Sequence, residues 1–208
     1  MNFIDLSQDI YDGMPVFPTD IQVSLKQTHQ VATEGYSNFR IMSGLHIGTH
    51  IDSPAHFISD GERIHQISPE RFCCKAIVLD ARGSENLDMS ILPENGIDEN
   101  LIVIICTGHY KNFKSENYYK DYPVLSPEIC EYFISRKVKM VALDTPSPDK
   151  SPYEIHDILL GAGILIAENL TNTEQLLGID DILLYAFPLK IQADGSPARI
   201  IAVVNNVT

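Results

Sequence analysis

Four side chains able to bind a metal fall within eleven residues, His46, His50, Asp52 and His56. They lie in the run Leu45-His46-Ile47-Gly48-Thr49-His50-Ile51-Asp52-Ser53-Pro54-Ala55-His56-Phe57. All four have even numbers. Side chains alternate faces along a strand, so an extended backbone points all four the same way. An ideal strand rises about 3.3 Å per residue and sets His46 and His50 roughly 13 Å apart, a gap that two imidazoles with bonds of about 2.1 Å to one ion barely bridge. The chain must bend between them, and Gly48-Thr49 is the expected place. A helix would bring His46 and His50 one turn apart but would send Asp52 to the far side. Ile47, Thr49 and Ile51 are β-branched and Pro54 follows, so the stretch reads as a bent strand ending in a turn at Ser53-Pro54.

Packing three imidazoles and a carboxylate on one face costs desolvation that a bound cation offsets. The stretch is therefore a candidate metal site. Imidazole and carboxylate donors suit zinc, manganese or iron, and no cysteine is present to make a thiolate site. A second element must close such a site. His156, after a proline-rich loop, is one candidate. Glu168, at the end of the apolar run Gly163-Ile164-Leu165-Ile166-Ala167, is the other. His29, His65 and His109 remain in reserve, with His109 the most suggestive because it follows a glycine at a strand terminus.

The 208 residues fit one domain, 1–208, and 44% hydrophobic residues suffice for a sizeable core. A formal net charge of -13 argues against a nucleic-acid partner, which requires clustered Lys and Arg. Cys73, Cys74, Cys106 and Cys130 lie in or beside apolar segments without a CxxC pair, and read as reduced, buried thiols of a cytoplasmic protein. The N-terminus has no basic region followed by an apolar run, and no apolar stretch approaches the roughly 20 residues that span a bilayer. No membrane partner is expected.

Short apolar, β-branched runs predict strands at 76–80, 101–106, 138–143, 164–167, 182–187 and 199–204. Ser126-Pro127-Glu128 predicts a helix N-terminus, with Ser126 as the cap and the helix ending near Arg136 or Lys137. A short helix is expected over 153–160, and a surface excursion over the polar, tyrosine-rich 111–122. The pattern describes an α/β fold in which strands dominate.

The run HxGTHxDxPxH formed by His46 to His56 resembles the signature of the putative cyclase family, which includes bacterial kynurenine formamidase and isatin hydrolase. The resemblance extends over nearly the whole chain. It includes Asp144-Thr145-Pro146-Ser147, the spaced His156 and Glu168, Phe187-Pro188-Leu189-Lys190 and Gly195-Ser196-Pro197-Ala198-Arg199. It implies a swivelling β/β/α fold, usually in a homodimer or homotetramer. It also implies metal ligation by His46, His50, Asp52, His156 and Glu168, with Asp52 and Glu168 bridging two ions, and a proton-transfer role for His56. The kynurenine formamidases have a substrate-contacting tryptophan before Pro-Gly-Asp. Here Phe17-Pro18-Thr19-Asp20 stands in that place and the chain has no Trp, so Phe17 is the candidate substrate contact.

These features together predict a metal-dependent hydrolase of a small amide, either an aryl formamide such as N-formylkynurenine or a cyclic amide. One or two Zn²⁺ or Mn²⁺ ions would supply hydroxide near neutral pH, and an imidazole with an ordinary pKa near 6.5 suits the proton transfers. Two alternatives are a non-catalytic metal-binding protein and a cyclase or dehydratase on the same scaffold. A histidine beyond a complete ligand set favours catalysis, since a structural site is closed.

Overall fold

Alternating burial along short strands organises the protein, seen in a computed structural model that describes residues 1–205. In chain order the strands are β1 (Asn2–Asp5), β2 (Ser24–His29), β3 (Asn38–Met42), β4 (His50–Asp52), β5 (Cys73–Asp80) and β6 (Asn86–Leu87). They continue as β7 (Ile102–Cys106), β8 (Val124–Leu125), β9 (Met140–Leu143), β10 (Leu165–Glu168), β11 (Ile182–Pro188) and β12 (Gly195–Val204). The helices are α1 (Val31–Glu34), α2 (Pro127–Ser135) and α3 (Glu154–Gly161).

Seven strands close a mixed barrel in the order β12-β11-β5-β7-β9-β10-β4, with β4 pairing back onto β12. One edge of β12 is shared. Residues 195–197 pair with β4, and residues 201–204 pair with β1. β5, β7, β9 and β10 run parallel. Crossovers between parallel strands are right-handed, which places α2 (between β7 and β9) and α3 (between β9 and β10) on the same outer face.

Ile102 and Ile104 of β7, Ala142 of β9 and Ala167 of β10 join Ile51 of β4 and Leu184 of β11 in the barrel interior. The alternate residues Val103, Ile105, Val141 and Ile166 face outward and pack with Phe133 of α2 and Leu159 of α3. Strands buried on both faces read as continuous apolar runs, which is why 101–106 and 138–143 stand out in the sequence. Each fully buried aliphatic side chain contributes about 1.5–3 kcal/mol. Helix α2 starts as expected, with Ser126 Oγ accepting from Ile129 N at 3.4 Å and Pro127 in the first turn.

Three expectations need correction. The stretch 111–122 is only partly a surface excursion. Phe113 and Tyr118 are buried with Met14, Val23 and Ile47 in a third small core. Tyr118 tolerates this because its hydroxyl donates to Asn169 Oδ1 at 2.8 Å, and Tyr122 because its hydroxyl donates to Asp149 O at 2.8 Å. The last strand begins at Gly195 and not at Arg199, because Pro197 sits near the strand's end, where pairing with β4 lasts three residues. The four cysteines are free, but only Cys106 and Cys130 are buried; Cys73 and Cys74 are half-buried at the start of β5. Among the described residues no helix is long and apolar enough to cross a membrane.

Phe133 is fully buried on the inner face of α2. Phe133→Ala should cost about 3–5 kcal/mol. The expected signature is a lower urea midpoint with unchanged denaturant slope, and a loss below 1 kcal/mol would show that the helical layer collapses into the space.

Candidate metal centre

The histidine stretch bends where its glycine stands. Gly48 has φ +51°, a left-handed conformation that disfavours residues with a Cβ, and a Cβ there would lie 3.1 Å from Met14 Cε. Only His50–Asp52 is strand, so the even-number argument applies to His50 and Asp52, while His46 reaches the same place from before the bend. Thr49 pins the bend. Its hydroxyl donates to Asn169 O at 2.7 Å and accepts from Gln8 N at 2.8 Å. Ile51 points into the barrel, so His50 and Asp52 point out of it. Across the β4–β10 ladder His50 stands opposite Glu168. Beyond β4, Ser53 leads into the turn Pro54–His56. This returns the His56 ring onto His46, with centroids 4.0 Å apart and planes at 23°.

The five expected ligands and His56 therefore converge. His46 Nδ1 lies 2.6 Å from Asp52 Oδ1, and His50 Nε2 lies 3.5 Å from the same oxygen. Glu168 Oε2 is 3.3 Å from His50 Nε2, and Glu168 Oε1 is 3.5 Å from His156 Nε2. Two donor groups have ligand atoms within 4.8 Å of one another, His46–Asp52–His56 and His50–Asp52–Glu168. Asp52 belongs to both. His56, one of the four metal-competent side chains of the stretch and the expected proton carrier, thus belongs to the first group, and His156 belongs to neither. The reserve histidines are elsewhere. His29 stacks on Tyr36 at 4.8 Å, His109 donates from Nε2 to Tyr118 O at 2.9 Å, and His65 joins neither group.

The buried atoms call for positive charge. Asp52 and His50 are 1% and 2% exposed. His50 donates from Nδ1 to Gly48 O at 2.8 Å, which leaves Nε2 directed at the carboxylates. His50 Nε2, Asp52 Oδ2 and Glu168 Oε1 have no hydrogen-bond partner. Three orphaned buried polar atoms in one cluster cost about 1–3 kcal/mol each unless something satisfies them. A divalent cation fits this donor set of imidazole nitrogens and carboxylate oxygens.

Protons answer the same demand when no cation is bound. Burial alone would lower the His46 pKa, but Asp52 and Asp194 outweigh it and raise it to about 10. Burial likewise opposes, and the carboxylates of Asp149 and Glu168 overcome, in raising His156 to about 10. His50 is raised as well, by Asp52 and Glu168 against its burial. Asp52 ends below the usual carboxylate range, because His50 and His46 outweigh its desolvation.

Two aspartates complete the cluster and were not singled out in the sequence. Asp149 accepts from His156 Nδ1 at 2.7 Å and from the backbone N–H groups of Ile155 and His156 at 2.8 and 3.0 Å, so one carboxylate fixes both the start of α3 and the His156 ring. Its signal was a carboxylate seven residues ahead of a candidate ligand. Asp194 accepts from His46 Nε2 and His56 Nδ1, each at 2.9 Å, and the hydrogen bond from His46 holds its carboxyl well below the usual range. Its only sequence signal was an Asp-Gly turn pair ahead of a strand.

A cleft of ≈ 290 Å³ opens onto these groups. Phe17, Phe57 and Tyr153 line it together with His46, His56, His156 and Glu168. Phe57 stacks on His156 with centroids 4.5 Å apart, and Phe17 meets Tyr119 edge-on at 5.9 Å. A larger groove of ≈ 620 Å³ runs along β5, but neither donor group lies in it, so the chemistry selects the smaller cleft.

Comparison with known proteins is consistent with this geometry. The family described as "Putative cyclase" matches residues 4–150. The chain belongs to the putative cyclase family. Kynurenine formamidases are among its relatives: that of Bacillus cytotoxicus is 26% identical over 204 residues, with 96% of each chain covered. That of Geobacillus thermodenitrificans is 27% identical over 201 residues, with 95% of each covered. The structure of isatin hydrolase A from Labrenzia aggregata bound to benzyl benzoate superposes with a TM-score of 0.87 at 26% identity, covering 99% of this chain and 94% of that one. An isatin hydrolase bound to the product analogue thioisatinate shares the fold, with a TM-score of 0.90 at 20% identity over 98% of this chain and 92% of that one. The strand-rich α/β fold expected from the sequence is the cyclase-family fold, and here it closes as a barrel.

A cation entering this cluster must displace the protons that His46 and His156 hold up to about 10. Both pKa values are raised to about 10, so the protonated competitor is fully present across pH 6 to 8 and disappears only as the pH rises towards 10. Zn²⁺ or Mn²⁺ affinity should therefore weaken from pH 8 to pH 6, by about tenfold per pH unit for each proton displaced. Chelator competition across that range checks this, and an affinity independent of pH would contradict it.

Proposed function

We propose that this cyclase-family protein is a metal-dependent hydrolase acting on the C–N bond of a small amide, an aryl formamide such as N-formylkynurenine or a cyclic amide. The observation that supports this most is the group of orphaned atoms His50 Nε2, Asp52 Oδ2 and Glu168 Oε1 beneath a cleft that also presents the half-buried His56. A closed structural site has no use for an open cleft and a further imidazole. Full-length similarity to kynurenine formamidases and to isatin hydrolase A supports the same reaction class.

In this reading His46, His50, Asp52, His156 and Glu168 hold the metal. Asp52, shared by both donor groups, supports a pair of ions; Zn²⁺ and Mn²⁺ are the proposed identities. When bound, such a metal lowers the pKa of water towards about 7 and polarises a carbonyl oxygen. His56 then takes a proton from the attacking water and returns it to the leaving nitrogen. One of its ring nitrogens, Nδ1, is engaged by Asp194, which leaves Nε2 for this exchange. Phe17, Phe57 and Tyr153 give the cleft aromatic walls for a flat substrate. We further propose that residues 1–208 act as one cytoplasmic unit assembled as a homodimer or homotetramer.

Metal-stripped protein restored separately with Zn²⁺ and Mn²⁺ should hydrolyse at least one of N-formylkynurenine, isatin, simple lactams and esters. Stoichiometric metal binding with no turnover of any compound would overturn the hydrolase reading. His56→Ala should keep its metal and lose about 10² to 10⁴-fold in kcat. Parallel loss of metal and activity would instead make His56 a ligand, in line with its place in the first donor group.

A further inference from the structure

We propose that Asp194 is a positioning residue that fixes the orientation and tautomer of His46 and His56 together, tying the metal cluster to the proton carrier; this assignment rests on the hydrolase reading. One oxygen, Oδ2, accepts from both rings, from His46 Nε2 at 2.9 Å and His56 Nδ1 at 2.9 Å. With those two N–H groups committed, His46 turns Nδ1 to Asp52 and His56 keeps Nε2 for the cleft. A ring nitrogen's role is set by the hydrogen bond its partner nitrogen makes.

The backbone anchors Asp194 in this place. Its carbonyl accepts from Ser53 N at 2.9 Å and from Ser53 Oγ at 2.7 Å. Ser53 is fully buried and directly follows Asp52, so the donor strand itself carries the anchor for the carboxylate that orients its histidine. The next residue, Gly195, stands opposite Asp52 in the β4–β12 ladder. A Cβ at Gly195 would lie 2.6 Å from His46 Cε1, so glycine is what lets this segment press against the ring. The Asp194 side chain is itself 42% exposed and fills no core, so its removal leaves the barrel packing in place.

Asp194→Ala removes the shared acceptor, and Asp194→Asn keeps an oxygen in its place. At saturating metal Asp194→Ala should lower kcat by about 10–100-fold with KM changed by less than about threefold, and Asp194→Asn should recover part of the loss. Metal affinity of Asp194→Ala, from chelator competition, should fall about 10–100-fold while its urea midpoint stays within error of the wild type. Placed on His56→Ala, the alanine change should reduce kcat by clearly less than it does in the wild type, because one of the two rings it orients is gone. An unchanged kcat at saturating metal, or the full loss repeated on His56→Ala, would overturn the proposal. If the wild type hydrolyses none of the amides, the hydrolase reading fails by itself. The metal arm then still decides for Asp194: a tenfold or greater loss of affinity with stability retained supports the positioning role, and an unchanged affinity removes it.

Discussion

Three residues of backbone pairing hold the structure's chemistry in place. His50, Ile51 and Asp52 form the stave that closes the barrel, bonded to β10 on one side and β12 on the other. Because side chains alternate, burying Ile51 inside the barrel forces His50 and Asp52 outward. The same ladder sets Glu168 against His50. Closure and donor assembly are thus one event. A one-residue slip of β4 would bury a histidine in the barrel and expose Ile51, so the hydrophobic core enforces the register the donors need.

The charge balance follows from that closure. A chain with formal net charge -13 gathers carboxylates around imidazoles, and the imidazoles answer by holding protons. Positive charge is required in the cluster whether it arrives as protons or as a cation. The aspartates extend the arrangement outward. Asp149 governs His156 as it starts α3, and Asp194 lies against His46 and His56. Ligands oriented by an outer layer of carboxylates are what a metal centre with defined geometry needs.

Much of this was legible in the residues. The strongest donors lie in one stretch, so their convergence needed only the bend at Gly48. Glu168 was legible because it ends an apolar run, and the parallel strands because both their faces are buried. Asp149 and Asp194 were not, because an aspartate in a loop or beside a glycine is the commonest of turn signals and says nothing about what it meets across the fold. Tyr118 was hidden for a similar reason. Polar neighbours surround it in sequence, and only the acceptor on Asn169, far along the chain, makes its burial tolerable.

The order of the strands has a consequence for synthesis. The first donors are translated at 46–52, but their ladder partners arrive at 165–168 and 195–197. A nascent chain therefore carries its densest group of imidazoles and carboxylates unassembled for most of its time on the ribosome. The pairings that assemble it are among the most distant in the molecule, and loops of that length close slowly. Until β12 emerges, the free edge of β4 and the unfilled donors are available to stray metal ions and to other chains.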